Sequence, residues 1–205
     1  MPTSITGQED ILAEQILKAA LQLYQQHGIK KVTMDDVARV IGKTRTTLYY
    51  YYKNRDEIFE AVMEMLVHEI VDEIAAAMND VSTLQEKLVA FCTTKIKTSG
   101  ERKAVLTALE NGIDPNEVSN HSKAMLEIHK RLMKLETSLL RKNLAAAVKN
   151  EEIRQLKPRE SDMLVFILLT SIRGIKKEMS YDNDFNKLNY AIETLVDMAM
   201  CWLNK

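Results

Sequence analysis

The chain has 205 residues, of which 46% are hydrophobic and 28% are charged, and its formal net charge is -1. This balance is typical of a folded globular protein. The most apolar run, 163–172, is about half of the roughly twenty residues that a membrane span needs. The amino-terminal residues lack the basic and then apolar pattern of an export signal. We therefore expect a cytoplasmic protein without a membrane helix, whose two cysteines are reduced thiols.

The predicted secondary structure is entirely helical, because glycine and proline are few and apolar residues recur at helical spacing. We predict an all-α fold of about nine helices. In chain order they cover about 9–27, 34–41, 45–51, 55–78, 84–98, 102–111, 122–149, 158–181 and 184–205. The first three are short or moderate in length, and the fourth is a long helix that leads into a larger helical remainder.

The second and third predicted helices form the most informative pattern in the chain. Thr33 and Thr44 each offer a hydroxyl that can cap the helix that follows, and Gly42 ends the first of the two. Asn54 is placed to cap the long fourth helix. Two short helices joined by a glycine turn are typical of the helix-turn-helix motif, whose second helix lies in the major groove of DNA.

The charge along the chain agrees with such a motif. Residues 29–55 contain seven lysines or arginines and two aspartates, a net charge of +5, which leaves -6 for the rest of the chain. A basic module joined to an acidic body indicates that a polyanion binds at one end.

Residues 42–59, GKTRTTLYYYYKNRDEIF, resemble the TetR (tetracycline-repressor) family of bacterial regulators. The family's pattern is a glycine, a short polar stretch, Thr-Leu-Tyr, a pair ending in an aromatic residue, and a basic residue that opens the next helix. The matching residues are Gly42, Thr47, Leu48, Tyr49, Tyr51, Tyr52 and Arg55, preceded by Thr33, Ala38 and Ile41. Two positions depart from the pattern: Lys43 replaces a small apolar residue, and Tyr52 replaces the usual phenylalanine.

The resemblance implies a DNA-binding domain at 1–55 and assigns contacts within it. The positions that contact bases in the family are Arg45, Thr46, Thr47 and Tyr49. Those that contact phosphates are Thr33, Tyr50, Tyr51 and Arg55, and we expect Lys43 to turn toward the DNA backbone as well. Arginine can bond bidentately to guanine, and a threonine methyl can pack on thymine. The alternatives are a buried cluster of tyrosines and a merely solvated Arg45; we expect Leu48 and Tyr52 to face inward.

The resemblance further implies a ligand-binding and dimerisation domain at 56–205. Residues 163–172 are apolar on nearly all sides, so one face can pack on the body and the other on a second subunit. We therefore predict a homodimer through the last two helices, and a two-fold dimer implies a palindromic DNA operator. The alternative is a monomer in which these helices complete one core.

A small-molecule effector is implied by the resemblance and not by residue spacing. The pocket candidates are Phe91, Met125, His129, Met133, Phe166 and Thr170. Methionine, of which the chain has 11, adapts to varied apolar ligands. The alternative for each candidate is an ordinary position in the core.

We do not expect the protein to be an enzyme, and we expect it to bind neither a cofactor nor a metal. His68 and Asp72 are four residues apart, but two ligands on one helix without a third are weak evidence for a metal. We thus expect a homodimeric repressor that a small molecule releases from its operator. The alternative is a helical adaptor that binds a protein partner through its basic module; a catalytic helical bundle would need turnover that survives removal of 1–55.

Overall fold

The computed structural model describes residues 5–28, 31–101, 118–182 and 185–204. Within these ranges the chain forms eight α-helices and no strand, so the all-α prediction is confirmed. The helices are α1 (Ile5–His27), α2 (Met34–Val40), α3 (Arg45–Tyr51), α4 (Arg55–Asn79), α5 (Leu84–Glu101), α6 (Val118–Lys149), α7 (Pro158–Asp182) and α8 (Leu188–Leu203). None of the helices in this part of the chain is long and apolar enough to cross a membrane. The helix predicted at 102–111 lies outside the described residues.

Four helix ends differ from the sequence-based expectation by about three or four residues: α1 begins at Ile5 and α6 at Val118, each earlier than predicted, and α5 and α8 also differ. Helix α5 continues through Gly100 to Glu101, since a single glycine inside a helix costs only about 1 kcal/mol and need not end it. Helix α8 begins at Leu188, after a turn in which the Leu188 N–H donates to the Phe185 carbonyl at 3.0 Å. Its N-cap residue, Lys187, makes no side-chain capping bond, so no polar cap marked this start in the sequence.

The chain divides into two compact units. One comprises residues 1–68 and 101–128, and the other comprises 69–100 and 129–205. In the first unit, α1, α2, α3 and the beginning of α4 surround one apolar core. Its buried side chains include Ile16, Ala20, Tyr24, Val32, Val37, Leu48, Ile58 and Val62. This core holds α2 and α3 in place, and it therefore positions the predicted DNA-binding residues.

The second unit has a larger apolar core, to which α5, α6, α7, α8 and the end of α4 contribute. Its buried side chains include Ile74, Phe91, Leu140, Leu144, Leu168, Leu169, Ile192 and Val196. Cys92 is also buried here, and burial raises the pKa of its thiol to about 12. Both cysteines are free thiols. Two polar residues, Thr98 and Glu136, are buried in this unit as well.

Candidate nucleic-acid interface

A reciprocal capping box fixes the start of α2. The Asp36 N–H donates to Thr33 Oγ1 at 3.2 Å, and the Thr33 N–H donates to Asp36 Oδ2 at 3.0 Å. The Thr33 hydroxyl also donates to Asp36 Oδ2, at 2.7 Å. The two hydrogen bonds that the Asp36 carboxyl accepts from Thr33 lower its pKa from the ordinary value of 3.8, and the bond from the hydroxyl has the larger effect. The hydroxyl predicted to contact phosphate therefore already has a structural role as the cap of α2.

We expect Thr33→Val to loosen α2 without unfolding the first unit. Loss of an N-cap should increase local opening by roughly 2-fold to 30-fold at neutral pH. A carboxyl whose pKa is lowered by folding stabilises the fold at pH values above its ordinary pKa. This stabilisation is lost as the pH falls through the pKa that the carboxyl has in the folded chain. Amide hydrogen exchange of α2 should therefore separate the variant from the wild type at pH 7, and less so below pH 4. An equal difference at both pH values would contradict a role for ionised Asp36.

The turn between α2 and α3 is closed by backbone hydrogen bonds. The Gly42 N–H donates to the Arg39 carbonyl at 3.2 Å, and the Lys43 N–H donates to the Ala38 carbonyl at 2.9 Å. This pair of bonds is the Schellman motif, which needs a residue with positive φ after the C-cap. Gly42 supplies it with φ of 66°, and a Cβ there would meet no atom within 4 Å. Backbone conformation, and not lack of space, is therefore the reason for glycine here.

Helix α3 begins at a threonine cap and buries one side chain completely. The Thr47 N–H donates to Thr44 Oγ1 at 3.2 Å, as predicted for a cap at this position. Leu48 is 0% exposed, whereas Tyr49 is 42% and Tyr50 is 75% exposed. The tyrosine run is therefore not a buried aromatic cluster. The third helix keeps a single buried anchor and presents polar and aromatic side chains to solvent.

The four predicted base-contacting residues lie within the first five positions of α3. Arg45 and Thr46 are exposed, and Thr47 is partly buried, with its hydroxyl 2.9 Å from that of Thr44. Tyr49 follows one turn after Arg45. Arg45, Thr46 and Tyr49 thus form an exposed group within the first five residues of a two-turn helix, and exposed side chains of a recognition helix are those that can contact base edges.

Arg45 is held by two neighbours on the protein itself. Its Nε and Nη2 donate to the Tyr49 hydroxyl at 3.2 and 2.8 Å, and its Nη1 donates to Asp35 Oδ2 at 3.0 Å. The guanidinium also lies over the Tyr49 ring, 5.3 Å from its centre. A guanidinium has five N–H donors, so two remain, the number that bidentate contact with guanine requires. Asp35 is a functional candidate that sequence reasoning missed, because residue spacing does not indicate its contact with Arg45, ten positions away.

The remaining predicted phosphate contacts lie around α3. Lys43 is exposed in the turn before α3, and Tyr50 is exposed on the helix itself. Tyr51 is partly buried and packs edge-on against the ring of Tyr50, with ring centres 5.3 Å apart. Arg55 begins α4, and its Nε lies 3.9 Å from Asp56 Oδ1. A phosphate that approached this end of the domain would meet cations both before and after α3.

The start of α4 agrees with its predicted cap. The Glu57 N–H donates to Asn54 Oδ1 at 2.9 Å, and the Lys53 N–H donates to Glu57 Oε2 at 2.7 Å. Tyr52 lies just before this cap and is partly buried, as expected for a residue that faces inward. Burial raises the pKa of its hydroxyl.

The predicted pocket residues do not share one environment. Phe91 is 1% exposed in the core of the second unit, and Met133 packs against that core while partly exposed. His129 is partly buried, and the Thr170 hydroxyl bonds to the Phe166 carbonyl at 2.8 Å. The side chain of Met125 lies outside the described residues.

Phe166 differs most from the expectation of a pocket residue, because its side chain is 58% exposed. The buried positions of this part of α7 are 164, 165, 168 and 169, which share one side of the helix. Residues 166 and 167 fall on the opposite side by helical spacing. Phe166 thus belongs to the outer face of α7 in the single chain.

An apolar groove of about 740 Å³ lies along α7 and α8, and we call it the α7–α8 groove. The residues that line it include Met163, Ile167, Leu195, Met198, Ala199 and Trp202. Met163 is 51%, Ile167 47% and Met198 67% exposed. A contiguous apolar patch of this kind on a chain surface is typical of an interaction site.

The suggested metal ligands at the middle of α4 are not assembled into a site. The described partner of the His68 ring is Glu64, one turn earlier, and not Asp72: His68 Nε2 lies 3.1 Å from Glu64 Oε1. Among the described residues, no three His, Cys, Asp or Glu side chains are grouped so that they could hold a metal ion.

The amino-terminal geometry defines a helix-turn-helix protein, and the comparisons with known proteins agree. Residues 16–62 match the family model described as bacterial regulatory proteins, tetR family. The chain is 33% identical over 63 residues to the HTH-type transcriptional regulator TtgR of Pseudomonas putida. This match covers 31% of the chain and 30% of TtgR, so most of both proteins lies outside it. The sequence likeness to the TetR family therefore covers the helix-turn-helix region of the chain.

Solved structures extend the likeness in fold to nearly the whole chain. The fatty acid degradation regulator FadR from Bacillus halodurans superposes with a TM-score of 0.60 at 18% identity, over 90% of this chain and 93% of that one. SmeT, the repressor of a Stenotrophomonas maltophilia multidrug efflux pump, gives a TM-score of 0.56 at 17% identity, over 94% of this chain and 90% of SmeT. At these identities the likeness shows the fold alone.

Proposed function

We propose that the protein is a homodimeric transcriptional repressor that binds a palindromic DNA operator through α3 and is released by a small-molecule effector. In this proposal residues 1–55 form the DNA-binding domain, and residues 56–205 form the ligand-binding and dimerisation domain of a cytoplasmic, non-enzymatic protein. The observation that carries it is the exposed group Arg45, Thr46 and Tyr49 on α3, a helix anchored by buried Leu48.

The electrostatics of the first unit support DNA as the partner. The segment 29–55 carries a net charge of +5, and its exposed cations flank α3 on both sides. Such a distribution lets α3 contact the base edges of a duplex while the flanking turns contact its phosphates. A protein partner, as in the adaptor alternative, would not require the paired hydrogen-bond donors that Arg45 presents.

The α7–α8 groove supports dimerisation. Its exposed apolar side chains belong to the two helices predicted to form the interface. A two-fold interface places the same patch of both subunits in contact, so one groove suffices to form the dimer. Two α3 helices on one dimer are what a palindromic operator requires.

The repressor role rests on the likeness to SmeT, and the effector rests on the resemblance to the TetR family. SmeT is a repressor by its description, and it shares the fold over most of the chain. A ligand that releases the protein from DNA must bind more tightly to the form that does not fit the operator.

Two arginine variants test DNA binding, once an operator has been selected from a random pool. We expect Arg45→Ala to lose about 1–3 kcal/mol of binding free energy on the operator and little on random duplex. Arg55→Ala should weaken binding to the operator and to random duplex equally. It should also reduce the slope of log K against log salt concentration by about 1. Tyr51→Phe should also weaken binding to both sequences. The measurement is fluorescence anisotropy of labelled duplexes over a range of salt concentrations.

Lys142→Ala is the matched control, since it removes an exposed cation of α6 in the second unit. Its affinities should equal those of the wild type. Equal losses on operator and random DNA for Arg45→Ala would contradict its role in base recognition. DNA binding that is absent, or that does not weaken with salt, would favour the adaptor.

A further inference from the structure

Asp35 lies in the first turn of α2 but is not part of the cap of that helix. The capping box there joins Thr33 to the neighbouring acid, Asp36. Asp35 instead accepts a hydrogen bond from Arg45 Nη1, on α3, at 3.0 Å. The side chains of Asp35 and Arg45 are 53% and 55% exposed, and an exposed ion pair adds little stability. Stability of the fold therefore does not account for this contact.

The contact with Asp35 determines which donors of Arg45 are left for DNA. Arg45 Nε and Nη2 donate to the Tyr49 hydroxyl, and Nη1 donates to Asp35. A guanidinium has one N–H on Nε and two on each terminal nitrogen, so these bonds leave one N–H on Nη1 and one on Nη2. Two neighbouring donors suit the O6 and N7 acceptors of guanine and not the amino group of cytosine.

An arginine without such a partner would favour phosphates as much as bases. Its charge is attracted to every phosphate of a duplex, and this attraction does not depend on sequence. The negative charge of Asp35 offsets that of Arg45, so it weakens the attraction to phosphate while the hydrogen bonds to guanine remain available. Asp35 also holds the guanidinium in place before DNA binds, so that less side-chain freedom is lost on binding. Both effects favour guanine over phosphate as the partner of Arg45.

We propose that Asp35 determines the sequence specificity of α3, because it positions Arg45 for a guanine in each operator half-site and disfavours contact of Arg45 with phosphates. This inference rests on the proposed function, since it requires α3 to lie in the major groove. Asp35 is a positioning residue: it acts through Arg45 and contacts no base itself. Tyr49 supports the guanidinium as well, through its hydroxyl and through a ring whose centre lies 5.3 Å from the guanidinium carbon.

The test uses the full chain and an operator selected from a random pool, in which guanines are replaced by 7-deazaguanine, one symmetric pair at a time. This analogue pairs normally with cytosine but lacks the N7 acceptor. For the wild type, one such replacement should weaken binding by about tenfold, and Arg45→Ala should abolish this penalty. Asp35→Ala should reduce the same penalty to about twofold or less, because its guanidinium is no longer held in place.

Random duplex gives a second measurement, which a merely structural role of Asp35 would change in the opposite direction. Asp35→Ala should bind random duplex about threefold to tenfold more tightly than the wild type, with a slope of log K against log salt that is about 1 steeper. Asp35→Asn keeps an acceptor oxygen without the charge, so it should also bind random duplex more tightly. Glu14→Ala is the matched control, because Glu14 is an exposed acid of the first unit that pairs with Lys18. It should match the wild type on all duplexes.

Three results would contradict the inference. An unchanged 7-deazaguanine penalty in Asp35→Ala would show that Asp35 does not position Arg45. Equal losses of affinity for operator and random duplex in Asp35→Ala would show that Asp35 only stabilises α2. Either result would leave the proposed function intact if the wild type prefers its operator. A wild-type chain without salt-dependent DNA binding would instead overturn the proposed function, and this inference with it.

Discussion

Ile167→Glu is expected to convert the proposed homodimer into a monomer and to weaken operator binding by about 100-fold to 10,000-fold. Ile167 is 47% exposed in the α7–α8 groove, among other apolar side chains. A glutamate there would have to lose its hydration on association without gaining a partner, which opposes the interface. The loss on DNA follows because a dimer gains its second half-site at high effective concentration, and a monomer does not.

Sedimentation velocity would give the oligomeric state, and anisotropy titrations on a full operator and on a single half-site would give the affinities. Binding to the half-site should be nearly unchanged, because α3 is untouched. Tyr190→Glu is the matched control: Tyr190 is 75% exposed on α8 but is not one of the residues that line the groove. A dimeric Ile167→Glu variant, or a Tyr190→Glu variant that dissociates, would show that the subunits associate through another surface.

Leu48→Ala is expected to destabilise the first unit by about 2–5 kcal/mol. Leu48 is the buried anchor of α3 and is 0% exposed within a small core. Truncating it removes apolar contacts and leaves a cavity that a core of this size cannot easily fill. Because α3 has only seven residues, it depends on this contact more than on its own helical propensity.

Hydrogen exchange measured by mass spectrometry should show the change in peptides from residues 16–62. Protection in α7 and α8 should stay close to that of the wild type, because stability is not uniform along a chain. Tyr50→Ala provides the comparison, since it removes a larger side chain from the same helix at a position that is 75% exposed. If both variants lost the same protection, burial of Leu48 would not be what holds α3 in place.

Features set by near neighbours in the chain could be predicted from the sequence. The caps at Thr33, Thr44 and Asn54 each join residues three positions apart, and all three are present. The burial of Leu48 follows from helical spacing in the same way. Local hydrogen bonding and periodicity are therefore sufficient for most of the helix-turn-helix motif.

Contacts between distant positions could not be predicted in this way. Asp35 and Arg45 are ten positions apart and meet only because the turn brings α2 and α3 together. Lys95 and Glu136 are 41 positions apart, and their pairing depends on how α5 and α6 pack. The exposure of Phe166 depends likewise on which side of α7 the core occupies. Each of these requires tertiary geometry that residue spacing alone does not contain.

The residues that support α3 and those that it exposes are different sets. Gly42, Thr44 and Leu48 shape and anchor the helix through the turn, the cap and the core. Arg45, Thr46 and Tyr49 lie at the surface, and the bond of Arg45 to Asp35 of α2 is an exposed ion pair, which adds little stability. An engineer who wished to retarget the protein to a new promoter could therefore randomise the second set while leaving the first intact. Libraries built in this way would sample recognition without sacrificing foldability.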